Sequence, residues 1–202
     1  MKRRGARRGP RNRAAPALVF GAAAGILCLA ACLWFAGGGQ DVGPEDKVGG
    51  PFNLVDDSAH PVTERSFAGK YLLVYFGYAT CPDVCPETLN TMAASLDRLG
   101  RKAARVQPLF ITVDPMHDTP AVLRHYVSGF SSRLVGLTGS EAELNKVAAS
   151  YHVFRAPHHG QGGRLDHSAV LYLMAPDGRF VAPIPADASE MVMLQAIARY
   201  VS

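Results

Sequence analysis

Two cysteines separated by three residues, Cys81 and Cys85, lie where a strand pattern gives way to a helix pattern, and that placement narrows the fold more than any other feature of the chain. Residues 71–76 (YLLVYF) are a short run of bulky aromatic and aliphatic side chains, the kind that fills a strand buried on both faces. Beyond Pro86, the residues Leu89, Met92, Ala93, Leu96 and Leu99 recur at helical spacing. Proline suits the first helical turn because its missing N–H has no partner there in any case. Cys85 is thereby predicted at a helix start, where the partial positive charge of the helix end favours a thiolate, a sulfur that is both nucleophilic and metal-binding. Two blander readings stand beside this one, a structural disulfide and a pair of inert thiols. Strand, cysteine pair and helix in this order are nevertheless the thioredoxin-type arrangement, in which the pair is redox-active or metal-binding. The spacing departs from it, since a thioredoxin oxidoreductase has two residues between its cysteines.

The first thirteen residues hold Lys2, Arg3, Arg4, Arg7, Arg8, Arg11 and Arg13, and no acid. Subtracting those seven charges from the formal +4 leaves −3 on the remainder, so the basic character belongs to a tail and nucleic acid is not an expected partner. Residues 14–40 carry no charge at all, and 17–36 supply about twenty apolar or glycine positions, enough to cross the ~30 Å hydrocarbon core as a helix. The predicted organisation is a basic cytoplasmic tail (1–13), a transmembrane anchor (14–36), a glycine-rich flexible tether (37–50) and one domain (51–202). Arginines ahead of the span place the domain outside the cytoplasm, which for a bacterium means a single pass through the inner membrane with the domain in the periplasm. Competing readings are a cleaved signal peptide, a lipoprotein acylated at Cys32 within the Leu29, Ala30, Ala31, Cys32 box, and a mitochondrial inner-membrane location. Leu33, Trp34 and Phe35 prolong the apolar run past such a cleavage point and favour the anchor, with Cys28 and Cys32 as membrane residues.

Within the domain, 52–55 reads as a first strand, 63–69 as a turn, and 106–113 (VQPLFITV) as a second buried strand that stops at Asp114 and Pro115. Thr119 is the predicted N-cap of a helix with Val122, Leu123, Tyr126, Val127 and Phe130 inward. Ser140 and Glu143 form a capping-box pattern ahead of a helix carrying Leu144, Val147 and Ala148. Residues 169–174 and 180–184 flank Pro176, Asp177 and Gly178, a turn signal between antiparallel strands, and a last helix directs Leu194, Ile197, Ala198 and Val201 inward. Alternating strands and helices predict an α/β domain, a central mixed sheet covered by helices in the thioredoxin-like manner. Residues 152–164, rich in histidine and glycine, read as an exposed loop leading to Asp166, His167 and Ser168 at the mouth of the hairpin. In a thioredoxin-like sheet that loop faces the cysteine pair, which brings the His167 imidazole within reach of the sulfurs.

Three separated segments, YFGYATCPDVCPETL, ITVDPMHDTPAVLRHYV and LDHSAVLYLMAPDGRF, together with the preceding anchor, resemble the Sco (SenC) family of membrane-tethered copper proteins over roughly residues 48–200. The resemblance implies a thioredoxin-like fold and a copper ion held by two thiolates and one imidazole, which fall here on Cys81, Cys85 and His167. It places the aspartate of the family's VDP motif on Asp114 and implies a part in assembling the dinuclear copper centre of cytochrome c oxidase subunit II. His158 and His159, in the loop before His167, are outside that pattern and leave room for a second, weak site. Two thiolates and an imidazole make a soft, three-coordinate set that suits Cu(I) better than four-coordinate structural zinc, and an open side permits release by ligand exchange. Catalytic zinc also keeps an open position, but no general base is arranged for hydrolysis; Asp114 and Asp83 are the nearest carboxylates, and each also reads as a loop or turn residue. The functional readings are a copper metallochaperone loaded by an upstream copper chaperone, a thiol-disulfide reductase with Cys81 and Cys85 as its catalytic pair and an upstream thiol reductant, a peroxidase, and a domain with an inert disulfide. A peroxidatic cysteine with an activating arginine is not visible.

Overall fold

The computed structural model describes residues 47–156, 166–167 and 169–201. The basic tail, the apolar span, most of the tether, Cys28, Cys32, His158 and His159 lie outside the described residues. Among those described, no helix is long and apolar enough to cross a membrane.

The strands are β1 (Asn53–Asp56), β2 (Pro61–Thr63), β3 (Tyr71–Gly77), β4 (Val106–Thr112), β5 (Val135–Thr138), β6 (Arg155–Ala156), β7 (Asp166–His167), β8 (Val170–Met174) and β9 (Phe180–Pro185). The helices are α1 (Val84–Leu99), α2 (Pro120–Ser128), α3 (Glu141–Ser150) and α4 (Glu190–Ala198). Seven strands form a mixed sheet in the order β2-β1-β5-β4-β3-β8-β9, with β6 and β7 as a separate ribbon. β3 pairs in parallel with β4 and antiparallel with β8, and from Leu72 to Gly77 it is buried, as its unbroken apolar run requires of a strand covered on both faces. Register puts Tyr75, Gly77, Phe110 and Gly136 on one face of the sheet. α1 and α2 pack there: a Cβ on Gly77 would meet Cys85, one on Gly136 would meet Leu123, and the Phe110 ring lies 5.5 Å from that of Tyr126. On the opposite face, Phe76 stacks against Tyr151 at the end of α3 (5.3 Å) and against Tyr172 of β8 (6.1 Å). Helices thus cover both faces, consistent with a thioredoxin-like domain.

Most predicted elements form, with instructive differences. α1 begins at Val84, so Pro86 occupies its third position. Four short strands were not anticipated: β2, three residues paired with β1; β5, whose Gly136 weakens any strand signal yet permits α2 to approach closely; and the two-residue partners β6 and β7, of which β6 falls within the stretch 152–164 expected as a loop. Val122, expected inward, is exposed, whereas Leu123 and Val127 are buried. On α4 the buried residues are Met193 and Ile197, continued by Val201 just beyond its end, with Ala198 exposed and Leu194 only partly covered. Nearly every α4 residue is apolar, so periodicity alone does not choose the face; its seating on α1, through the Ser95 hydroxyl donating to the Glu190 carbonyl at 3.1 Å, does. The end of the tether is packed: Val48 lies against the core and the Gly49 N–H donates to the Ser150 carbonyl at 2.7 Å.

Pairing also defines the edge that matters. β3 and β4 run in parallel and deliver the segments 78–83 and 113–119 to the same side of the sheet, while the antiparallel register Tyr75 to Leu171 brings the start of β8, and hence β7 just before it, to that side too.

Candidate metal centre

The loop leaving β3 turns at once, with the Cys81 N–H donating to the Tyr78 carbonyl at 3.1 Å, and α1 starts three residues later. Cys81 is 8% exposed and Cys85 not at all, and the two are not bridged. Cys85 lies in the first turn of α1 but is pressed onto the sheet: a Cβ on Gly77 would come within 2.8 Å of its Sγ and 2.7 Å of the Phe110 ring, so only glycine leaves room there for the sulfur. The Tyr75 hydroxyl donates to the same Sγ at 3.7 Å.

These surroundings overturn one sequence expectation. The helix start favours a thiolate, yet burial pushes the Cys85 thiol up to about 12, with the Cys81 sulfur adding to the rise and a hydrogen bond from the Tyr78 backbone opposing it. Desolvation outweighs the helix end because Cys85 has no exposed surface. Without metal, Cys85 is therefore a neutral thiol near pH 7, and an ion that binds it displaces a proton. Burial, followed by the proximity of Cys85, likewise raises the phenols of Tyr75 and Tyr126.

Of the candidate carboxylates, Asp83 is exposed at the start of α1 and makes no side-chain cap bond. Asp114 engages neither cysteine; both its oxygens lie within 2.9 Å of His117 Nδ1. The acid beneath the site is one that sequence reasoning passed over, Asp118, which has no exposed surface. Its Oδ2 accepts the Ala79 N–H at 3.0 Å and the Thr112 hydroxyl at 2.6 Å, tying the cysteine loop to the end of β4. Its Oδ1 and the Tyr126 hydroxyl have no hydrogen-bond partner among the described residues. Burial raises the Asp118 carboxyl above the usual carboxylate range against the two hydrogen bonds. Gly77 and Asp118 escaped notice because neither is a metal-binding or nucleophilic residue in a recognisable pattern; only the close approach of chains shows what they do.

His167 pairs with Arg155 in the β6–β7 ribbon, three residues ahead of Val170, so its backbone stands on the edge that carries Cys81. Among the described residues no group of three or more His, Cys, Asp or Glu side chains surrounds a common point. The donor set seen directly is thus the sulfur pair, whose soft chemistry fits a thiophilic ion such as Cu(I).

A mixed sheet flanked by helices, with two unbridged cysteines at the β3–α1 junction, defines a thioredoxin-like domain with a dithiol site. The SCO1/SenC family model matches residues 40–202, and the chain belongs to that family. It is 39% identical over 160 residues to mitochondrial SCO1 of Saccharomyces cerevisiae, covering 77% of this chain and 54% of that protein. The chain spans about half the length of such curated relatives. Among solved structures, Arabidopsis thaliana ScoI with copper bound superposes with a TM-score of 0.71 at 37% identity, over 75% of this chain and 96% of the other. Bradyrhizobium japonicum ScoI with copper bound gives 0.68 at 41% identity, over 76% and 99%. BsSco, a member of the Sco family of cytochrome c oxidase assembly proteins, shares the fold at 20% identity with a TM-score of 0.61, over 76% of this chain and 95% of the other.

Proposed function

We propose that the chain is a membrane-anchored copper metallochaperone that binds one copper ion through Cys81, Cys85 and His167 and delivers it to the dinuclear centre of cytochrome c oxidase subunit II. The observation that carries this reading is the meeting, on one sheet edge, of two unbridged and nearly buried thiols with the strand that bears His167. Copper in the ScoI relatives supports the choice of metal. Two thiolates and an imidazole satisfy Cu(I) with three bonds and leave a side open for a partner's ligands, which is what release by exchange requires. The basic segment ahead of the uncharged span puts this site on the periplasmic side of a bacterial inner membrane.

A second reading, a thiol-disulfide reductase that keeps the oxidase's copper-ligand cysteines reduced, draws on the hydrogen-bonded proximity of the Cys81 and Cys85 sulfurs. His167 separates the two, because metal capture uses the imidazole and disulfide exchange needs only the sulfurs. Copper titration of the full-length protein should give one tight equivalent, lost in Cys81→Ser and Cys85→Ser and weakened about 10-fold or more in His167→Ala. Cells carrying His167→Ala should lose oxidase activity and regain part of it with excess copper. Normal oxidase in those cells alongside a defect in Cys85→Ser cells would replace the chaperone with the reductase.

A further inference from the structure

The turn after β4 carries two side chains that the packing of the domain does not use. Met116 is 80% exposed, more than any other large apolar side chain among the described residues, and its neighbour His117 is 74% exposed. The imidazole is nonetheless held: its Nδ1 lies 2.9 and 2.8 Å from the two oxygens of Asp114. A carboxylate on Nδ1 keeps the ring proton there, which in the neutral imidazole leaves the Nε2 lone pair as the donor and strengthens it, the arrangement that orients histidines toward metals. The turn is closed by the Asp114 carbonyl, which accepts the N–H of His117 at 3.2 Å and of Asp118 at 2.9 Å. It is fastened to the end of β3 by the Val113 N–H, which donates to the Gly77 carbonyl at 2.8 Å, and to the cysteine loop by the Ala79 N–H, which donates to Asp118 Oδ2 at 3.0 Å. A thioether and an oriented imidazole therefore stand on the solvent side of the edge where Cys81 lies.

We propose that Met116 and His117 form a landing site for Cu(I), where an incoming ion is held before it passes to the cysteine pair; this rests on the copper reading of Cys81 and Cys85. Thioether sulfur and imidazole nitrogen both suit a soft monovalent ion, which accepts two ligands. Methionine's three rotatable bonds let its sulfur swing to an ion already on the fixed Nε2. Two neutral donors hold Cu(I) more weakly than two thiolates, so the exchange runs inward. Bonds from copper to the thioether and imidazole break, bonds to the two cysteine sulfurs form, the thiol protons leave to water, and no electron is transferred.

The test isolates the outer donors by giving the full-length protein the double substitution Cys81→Ser and Cys85→Ser and titrating it with Cu(I), without oxygen, against a chromophoric Cu(I) chelator. One weak equivalent is expected, with thioether and imidazole ligands by X-ray absorption. It should disappear when Met116→Leu and His117→Gln are added, and Asp114→Asn alone should weaken it by about 10–100-fold. With the cysteines intact, the Met116→Leu, His117→Gln protein should keep the tight equivalent yet fill it more slowly in stopped flow. No weak equivalent in the cysteine-free protein, or one indifferent to Met116 and His117, overturns the landing site. Tight copper that survives loss of both cysteines instead overturns the copper reading on which it rests.

Discussion

Gly77 and Asp118 show how single residues set the chemistry of the cysteines without touching copper themselves. At Gly77 even one methyl group is too many, since it would stand 2.8 Å from Cys85 Sγ and 2.7 Å from Phe110, so that these neighbours must shift to admit it. Gly77→Ala should cost about 1–3 kcal/mol by overpacking and shift Cys85, read as a lower urea midpoint together with weaker copper binding. Unchanged copper affinity would mean that the sulfur relocates freely. Asp118 acts through the backbone. Asp118→Ala leaves the half-buried Ala79 N–H and the buried Thr112 hydroxyl without this acceptor and should cost about 1–3 kcal/mol. Asp118→Asn keeps an acceptor and removes the charge, which makes it a test of protonation. Because burial raises the folded-state pKa of this carboxyl, its contribution to stability is fully present below the unfolded value of about 3.9 and is lost as pH rises through the folded value. The urea midpoint of the Asn variant should thus gain on that of the wild type as pH climbs from about 4. A constant gap across that range would show that the carboxyl is not held neutral.

At the scale of elements, local signals and packing signals divide cleanly. Caps were legible because they depend on neighbours in sequence: Thr119 accepts the Val122 N–H at 3.3 Å, and Ser140 and Glu143 close the capping box at the start of α3. Thr119→Ala should therefore cost about 1 kcal/mol, measured by urea unfolding, and a value near zero would place the stability of α2 wholly in its packing on β5. Faces were less legible. On α2 a five-residue inner stripe was expected and Val122 turned outward; on α4 an almost wholly apolar sequence fits several faces, and contact with α1 selects Met193, Ile197 and Val201. β2 and β5 are too short to declare themselves, and each exists because a neighbouring strand supplies its partners.

At the scale of the whole molecule, the site exists because parallel β3 and β4 end where antiparallel β8 begins, gathering loops that are far apart in the chain. The proposed topology is testable at the same scale: a reporter enzyme active only in the periplasm, fused after Ser202, should be active, and activity from a cytoplasm-only reporter would reverse it. What the sequence determined by itself is what nearest neighbours decide. A strand, a CxxxC pair and a helix in succession, the caps, the Pro-Asp-Gly turn and the residue types of Cys81, Cys85 and His167 all follow from order and composition along the chain. Tertiary structure alone decided the electrostatic state of the site. The same helix start that favours a thiolate is buried against Gly77 and Tyr75, and in that low-dielectric setting desolvation raises Cys85 instead of lowering it. It alone placed Asp118 under the cysteine loop, since the Ala79 N–H that this carboxylate accepts reaches it only where the chain returns in space.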